Sequence, residues 1–490
     1  MIATALVATA FACSLSAATL YVSLESGNPV APFATWETAA RVIQDAVDAA
    51  QAGDTVLVTN GVYANGGRAV GTSILVNRVA VEKPLTLQSV NGPQFTLIEG
   101  AKAFDTETSD GAVRCVYLAD GASLSGFSLT NGATPVTASS PDVVAEWDGG
   151  GACCASSNVA IRNCLVTGNS AGGSGGGVFG GALNDCVLVG NSGRYGSGAA
   201  NCRLYNCRLE NNSGAHEGGG AAGCWLNYCT LRGNSANGLC KSTLGGMPCG
   251  QGGGAANSTL YNCSLANNSA NYRAGGAVGC ALLNCILTGN SPGSDSTFYN
   301  CTVIDNEGGI SGTAFNSIIY YNSGGNYAEG TTLNNCCTTP LPTNGIGNIT
   351  GPPLFMDMTA GDFRLREDSP CIDAGTNLLS VAGYSFEPTD ILGNTRFIDG
   401  NGDGKVAWDI GAYEFNSFKP PRFSVFPQLT ADGWQLSVTG APSKWVHLQR
   451  SGNLKDWQDI WSGFMGAEGL QQVNDRDTGP KAMFYRVIVP

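Results

Sequence analysis

The chain has 490 residues, 43% of them hydrophobic and only 13% charged, with 69 Gly, 19 Cys and a formal net charge of −13 at pH 7. It is long enough for about three domains, too rich in Gly for a helical protein, and too poor in Lys and Arg for a nucleic-acid partner, whose phosphates require clustered cations. Divalent cations or basic ligands suit its charge better.

The opening MIATALVATAFACSLSAATLYV joins an apolar core to Ser16, Ala17 and Ala18. This is the pattern of a signal peptide over 1–18 cleaved near Ala18, although no basic residue precedes the core. No later stretch approaches the ~20 apolar residues of a membrane span. In WETAARVIQDAVDAAQAGD (36–54), Ala39, Ile43, Ala46, Val47 and Ala50 share one helical face, so an amphipathic helix is expected to cap the first of the strand units that come after it. DTVLVTNGVY, KPLTLQSVNG and ASLSGFSLTNGAT then read as irregular strand and turn units.

From about 149 to 337 the chain repeats. Anchored on Cys164, Cys186, Cys207, Cys229, Cys263, Cys285 and Cys301, with Ser317 in the eighth place, the steps are 22, 21, 22, 34, 22, 16 and 16 residues. Two residues after each anchor stands an aliphatic (Val166, Leu188, Leu209, Leu231, Leu265, Leu287, Val303, Ile319). Five residues after it stands Asn (169, 191, 212, 234, 268, 290, 306, 322). Positions between them, such as Arg208, Glu210 and Arg232, are mixed, so the side chains alternate with the period of a strand. One strand signal per ~20 residues fits a coil of a parallel β-solenoid whose coils stack about 4.8 Å apart. The Asn amides would then hydrogen-bond along a ladder, and the Cys would fill a narrow interior as small hydrophobes, most of them at this one repeat position. Parallel side chains do not favour disulfides between such cysteines. Gly runs at 149–151, 175–177, 218–220, 252–254 and 275–276 permit tight bends between coils; lacking a GK[ST] ending, they are not phosphate loops.

Tyr195, His216 and Tyr272 each stand nine residues after their anchors, with Arg194, Glu217 and Arg273 beside them and Trp147 just ahead of the first Gly run. Stacking would line these seven up as an aromatic and charged stripe suited to sugar rings, or they are ordinary loop decoration. The insertion GLCKSTLGGMPCGQ interrupts the stripe at 238–251, and its Cys240 and Cys249 could close that loop. Scattered acids (Asp185, Glu210, Asp295, Asp305) show no close carboxylate pairing, and no catalytic residue is assigned.

A Pro and Gly segment near 340–353 leads to SPCIDAG and DIGAYEF. Between them, DGNGDGKVAWD (399–409) places Asp399, Asn401 and Asp403 at positions one, three and five of a calcium loop, with Gly404 at the bend. Position twelve is Ile410, with Asp409 adjacent, so calcium and a plain Asp and Gly hairpin turn both remain open. KPPRF (419–423) reads as a linker, and WQLSVTG, WVHLQRS and MFYRVIV as strands of a small β-sandwich.

Residues 20–420 resemble the right-handed parallel β-helix, pectin-lyase-like proteins exported by environmental bacteria. GGA with the aliphatic-x-x-Asn element, as in LTGN at 287–290, resembles the repeats of polymorphic outer-membrane adhesins, and SPCIDAG with DIGAYE resembles the choice-of-anchor Q region. The resemblance implies an all-β chain: signal peptide 1–18, β-helix 19–353 with its capping helix, anchor-like region 354–418, sandwich 419–490. The expected role is a secreted or cell-surface bacterial scaffold or adhesin binding a polysaccharide or cell-surface glycan without catalysis. The alternative is a polysaccharide lyase or glycoside hydrolase.

Overall fold

The computed structural model describes residues 17–102, 111–135, 146–238, 249–379 and 388–415, and beyond them the strands of 422–488 with the turns at 452–453 and 455–457. The expected signal peptide up to residue 16, Cys240 and most of the KPPRF segment lie outside the described residues. The chain separates into two compact units, Met1–Pro352 and Pro353–Pro490.

In the first unit nearly every strand pairs in parallel with the equivalent strand one coil away, so three sheets of 21, 12 and 4 strands run along it. This is a parallel β-helix. The inward column predicted from sequence is continuous: Val166, Leu188, Leu209, Leu231, Leu265, Leu287, Val303 and Ile319 are consecutive register partners and fully buried. A second inward column, Leu183, Leu204, Leu226, Leu260, Leu282 and Phe298, lines the opposite sheet.

Each coil turns its corners on a five-residue pitch. Asn201, Asn206 and Asn211 have positive φ, as do Gly223, Tyr228 and Gly233 one coil on, and Asn257, Asn262 and Asn267 after that. Asn and Gly adopt this left-handed region at the least steric cost. The residue after each corner turns inward: Cys202, Cys207 and Asn212; Cys224, Cys229 and Asn234; Ser258, Cys263 and Asn268. The cysteines therefore occupy two inward positions rather than one, and the second position (Cys202, Cys224, Ser258, Cys280) alternates with Ser. The thiols of Cys186, Cys207, Cys229, Cys263 and Cys285 each donate to the carbonyl two residues earlier, at 3.0–3.3 Å. Sixteen described cysteines are buried thiols outside any disulfide. Burial pushes the Cys115, Cys280 and Cys336 thiols up to about 12, which keeps them protonated and unreactive.

The third corner carries the Asn ladder. Each Nδ2 donates to the Oδ1 of the next coil, from Asn169 through Asn191, Asn212, Asn234, Asn268, Asn290 and Asn306 to Asn322, at 2.9–3.0 Å. The same Nδ2 donates to the aliphatic carbonyl of the coil before, as Asn234 does to Leu209 at 2.8 Å. Each Oδ1 also accepts the backbone N–H of the preceding Asn, as Asn234 does from Asn212 at 3.0 Å. All four hydrogen-bonding sites of a fully buried amide are thus satisfied. The Gly runs are explained by the same feature. A Cβ on Gly220 would lie 3.1 Å from the Asn234 amide and 2.5 Å from the Gly254 oxygen, and Gly198 and Gly254 are equally hemmed in.

The helix spans Ile43–Ala49, shorter than the sequence pattern, because residues 35–42 form turns tied by Thr35 and Thr38. Ala39, Ile43, Ala46, Val47 and Ala50 are all buried as expected. Gln44 acts as a strand residue: its Oε1 accepts from Ala80 N at 2.7 Å and its Nε2 donates to Ala80 O at 3.2 Å, covering polar groups of the Val76–Val81 strand.

In the second unit, residues 353–415 have little regular structure beyond the hairpin Phe355–Asp357 and Asp362–Leu365. Residues 422–488 form a four-stranded and a three-stranded antiparallel sheet around Leu436, Val438, Val446, Leu448 and Val473, the expected small sandwich.

Asn234→Ala removes four hydrogen bonds and strands buried groups on Asn212, Asn268 and Leu209. At about 1–3 kcal/mol for an unsatisfied buried group, chemical denaturation will show a loss of at least about 2 kcal/mol, against less than about 0.5 kcal/mol for the exposed Arg232→Ala. Equal midpoints would refute the ladder's role. Titration with a thiol reagent before and after denaturation, without reductant, will expose the ladder cysteines only in the denatured protein.

Candidate functional site

The loop stripe expected from sequence is built in two adjacent columns. Backbone hydrogen bonds step from Trp147 to Gly173 to Arg194, and from His216 to Gly250 to Tyr272. Alongside run Ser174, Tyr195, Glu217, Gln251 and Arg273, each the register partner of the next. The strands Ser192–Tyr195 and Ser213–Glu217 slip by one residue between Gly193 and Tyr195. This bulge makes Tyr195 the partner of Glu217, not of His216, as equal spacing from the Cys anchors suggests. The structure nonetheless brings the rings together: Tyr195 and His216 lie 5.2 Å apart at 32°.

Tyr195 and Tyr272 are 41% and 62% exposed. Arg273 forms an ion pair with Asp295, and Glu217 accepts from Asn257 Nδ2 at 3.1 Å. Partial burial, then the Arg194 charge, hold His216 below its usual value, so it is neutral at pH 7. Trp147 is half-buried, and its indole N–H is enclosed without a hydrogen-bond acceptor.

Sequence reasoning missed a second group, on the outer face of the largest sheet. Arg203 and Trp225 are register partners, and so are Tyr205, Asn227 and Tyr261. Tyr205 packs edge-on to Tyr228 at 5.7 Å, and Trp225 lies against Tyr261 at 5.5 Å. Tyr205, Trp225 and Tyr228 are 48%, 41% and 39% exposed. Tyr228 holds a corner with φ 53° where the same corner of the flanking coils has Asn206 and Asn262. A ring there costs about 1–2 kcal/mol relative to a residue at ease in the left-handed region, so the position trades stability for an exposed aromatic beside Tyr205. The available signal was the aromatics flanking the inward leucines in RLY, WLN and TLY.

In the second unit, Asp399 accepts from the backbone N–H of Gly402, Asp403 and Gly404 at 2.7–3.1 Å, Asn401 Oδ1 accepts from Asp403 N, and Asp403 from Lys405 N. Asp399, Asn401 and Asp403 therefore share one exposed loop with the curl of a calcium site. Asp409 does not join them. It is fully buried, accepting from Asp373 N at 2.8 Å and from Phe415 N, and Ile410 at position twelve is buried as well. Among the described residues no three Asp, Glu, His or Cys side chains converge to hold a metal, so the loop offers three side-chain ligands where a full calcium loop has more.

What Asp409 does instead is lock the SPCIDAG and DIGAYE segments together. Arg396 is fully buried, pairs with Glu414 at 3.1 Å, and donates to the carbonyls of Thr389, Gly411 and Ala412. Glu414 accepts from Asp409 N, and Asp390 accepts from the N–H groups of Leu392, Asn394 and Glu414. Burial pushes Asp409 up to about 7 and, with the Asp409 charge, Glu414 up to about 9. One guanidinium beside two carboxyls is neutral when one carboxyl keeps its proton. A cavity of about 950 Å³ beside this cluster is lined by Arg364, Asp390, Asn394, Asp399 and Tyr413. Of the charges lining it, Arg364 is matched by Asp362 at 2.6 Å and Asp390 by backbone N–H groups.

No protein-family model and no curated protein matches the chain. Among solved structures it is similar to pectate lyase Pel9A, at 16% identity over 82% of this chain and 98% of that one with a TM-score of 0.39. It is also similar to a rhamnogalacturonan lyase, at 14% identity over 70% and 92% with a TM-score of 0.33. The fold assignment rests on the coil register, not on these values.

Both carboxyls are raised above their unfolded values, so the proton is bound more tightly in the folded state. The stability this contributes is full in acid and is lost as pH rises through about 7 and then 9. The melting transition of the second unit is therefore higher at pH 5 than at pH 9, and Asp409→Asn flattens that dependence. An unchanged slope in the variant would assign the titration elsewhere.

Proposed function

We propose that the protein is an exported, non-catalytic glycan-binding scaffold whose ligand lies along the outer face of the solenoid. The observation that carries this reading is the run of rings over consecutive coils, exposed Tyr205 with Tyr228 and exposed Trp225 with half-buried Tyr261, flanked by Arg203. Rings of this kind stack on the apolar faces of sugars, and neighbouring guanidiniums and amides take up the hydroxyls. The loop stripe from Trp147 through Tyr195 and His216 to Tyr272 offers a second line of contacts in the same direction. A surface adhesin and a choice-of-anchor Q type second unit belong to the same proposal.

A lyase or hydrolase reading calls for two carboxylates, or a carboxylate with a free base, converging on one outer face. Beside the ring rows the described acids are engaged singly, Glu210 with Arg208 at 2.6 Å, Asp295 with Arg273 and Glu217 with Asn257, whereas Asp48 and Glu82 converge on Arg68 away from the rings. That favours binding over catalysis.

The test is a polysaccharide panel scored for retention and for new unsaturated or reducing ends. Retention without new ends is expected, and turnover would overturn the non-catalytic reading. Against a retained glycan, Trp225→Ala with Tyr261→Ala will weaken binding at least several-fold, since each ring contributes on the order of 1 kcal/mol beyond its buried area. Tyr228→Asn separates function from folding. It relieves the corner and raises stability by about 1 kcal/mol while lowering affinity, whereas a merely structural Tyr228 would leave affinity unchanged.

A further inference from the structure

The three-stranded sheet of the C-terminal sandwich turns Val446, Leu448, Tyr485 and Val487 to the core. Its opposite face, on strands Trp445–Ser451, Gln458–Phe464 and Phe484–Ile488, carries side chains in register rows. Arg486, Gln449 and Asp459 form one row, and Ile488, His447 and Ser462 form the next. The bulge between Leu448 and Gln449 keeps both Asp459 and Ser462 on this face. Phe484 stands opposite Ser451 at one end, and Trp457 lies just ahead of the strand of Asp459. Phe484 is 40% exposed, and Arg486, Asp459 and Ser462 are exposed as well.

The two charges of the first row are held in place without meeting each other. Arg486 stacks on Trp457, 4.2 Å from the ring centroid, and its Nε donates to Gln449 Oε1 at 2.8 Å. Gln449 Nε2 donates to Asp459 Oδ1 at 2.6 Å, and His447 Nδ1 lies 2.9 Å from Asp459 Oδ2. Gln449 thus spaces the guanidinium from the carboxylate by two strand intervals, about 10 Å. Among the described residues no carboxylate pairs with Arg486, and no Lys or Arg pairs with Asp459. Charged side chains fixed in this way lose little rotamer freedom when a partner arrives.

The middle strand is a line of symmetry for this pattern, with a cation on one flank and an anion on the other, and a ring on each. A twofold axis lying along that strand, in the plane of contact, brings Arg486 of one copy onto Asp459 of a second and Phe484 onto Trp457, each contact made twice. We propose that this face pairs two copies of the chain, sheet to sheet, about an axis along Trp445–Ser451. A foreign ligand would have to bring both charges at the same spacing, whereas a second copy supplies them by construction. The face is three strands wide, so the pair belongs to the small, weak class of interfaces. On the glycan-binding reading, pairing puts two solenoids in one particle and adds avidity. The association itself does not depend on that reading.

Sedimentation of the full chain without glycan is the test. The average mass is expected to rise toward that of two chains between micromolar and near-millimolar concentration. Arg486→Glu sets a carboxylate against Asp459, and Asp459→Arg sets a guanidinium against Arg486, so each variant alone is expected to need at least about tenfold more protein to pair. Mixed in equal amounts, the two variants restore both ion pairs with the signs exchanged. The mixture is expected to associate as the parent does, which also shows both variants folded. A parent that stays a single chain at near-millimolar concentration overturns the proposal, as does self-association that neither reversal weakens. Loss in both variants without recovery in the mixture overturns it too, because a site for some other ligand cannot be regained by mixing.

Discussion

The regular part of the solenoid depends on one interaction, the stacking of Asn amides at the third corner of each coil from Asn169 to Asn322. An amide with two donor and two acceptor sites can be buried only where all are filled. A parallel stack of strands about 4.8 Å apart fills them, provided that every coil supplies Asn at the same point. A shift of one residue in any coil would break two rungs and turn the neighbouring aliphatics outward. The amide therefore fixes register for the strands on both sides of the corner. It also dictates the glycines, because Gly177, Gly198, Gly220 and Gly254 pass so close to the amide plane and to the next coil's carbonyl that a methyl group has no room. Coils of 16 and of 34 residues stack on the same ladder, the difference being taken up where no amide is at stake.

Legibility in the sequence divides along the same boundary. The inward aliphatics and the Asn positions could be read because a ladder demands chemical identity from coil to coil, and identity at fixed offset is visible in a single chain. The second cysteine position was hidden by alternation, since Ser258 stands between Cys224 and Cys280 and a small polar hydroxyl fits there as well as a thiol does. The loop stripe was half legible. Its residues could be counted from the anchors, but the bulge between Gly193 and Tyr195 changes the partners, and nothing local announces an extra residue in a loop whose outward side chains are unconstrained. The calcium pattern shows the opposite limit: Asp399, Asn401 and Asp403 are a local motif and share a loop, whereas the place of Asp409 is decided by Arg396 and Glu414 and by burial that no spacing reveals.

The cysteines divide in the same way. Thiols stacked up the interior have spacing that would permit a bond but Cβ directions that do not. Those at the anchor position donate to a carbonyl of their own coil, and burial keeps thiols such as Cys115, Cys280 and Cys336 protonated, so that these offer an oxidising environment no reactive thiolate. Cys249 lies where the ladder gives way to loop, beside an imidazole instead of a carbonyl, and it is the described cysteine that is oxidised. Position relative to the ladder, more than the number of cysteines, sets their chemistry.

The same rigidity bears on what the outer face can recognise. Side chains on consecutive coils inherit the strand spacing, so the ring pairs stand 5.2–5.7 Å apart, Tyr195 with His216 in the loop stripe and the others along the largest sheet. On the glycan-binding reading proposed above, a surface ruled at that interval suits an extended, repeating polymer better than a small molecule. Tyr228, with its positive φ, bears on the same surface. Asn holds that corner in the coils on either side, so the ladder does not require a ring there, and on the proposed reading the cost of Tyr228 is offset by its contribution to the binding surface.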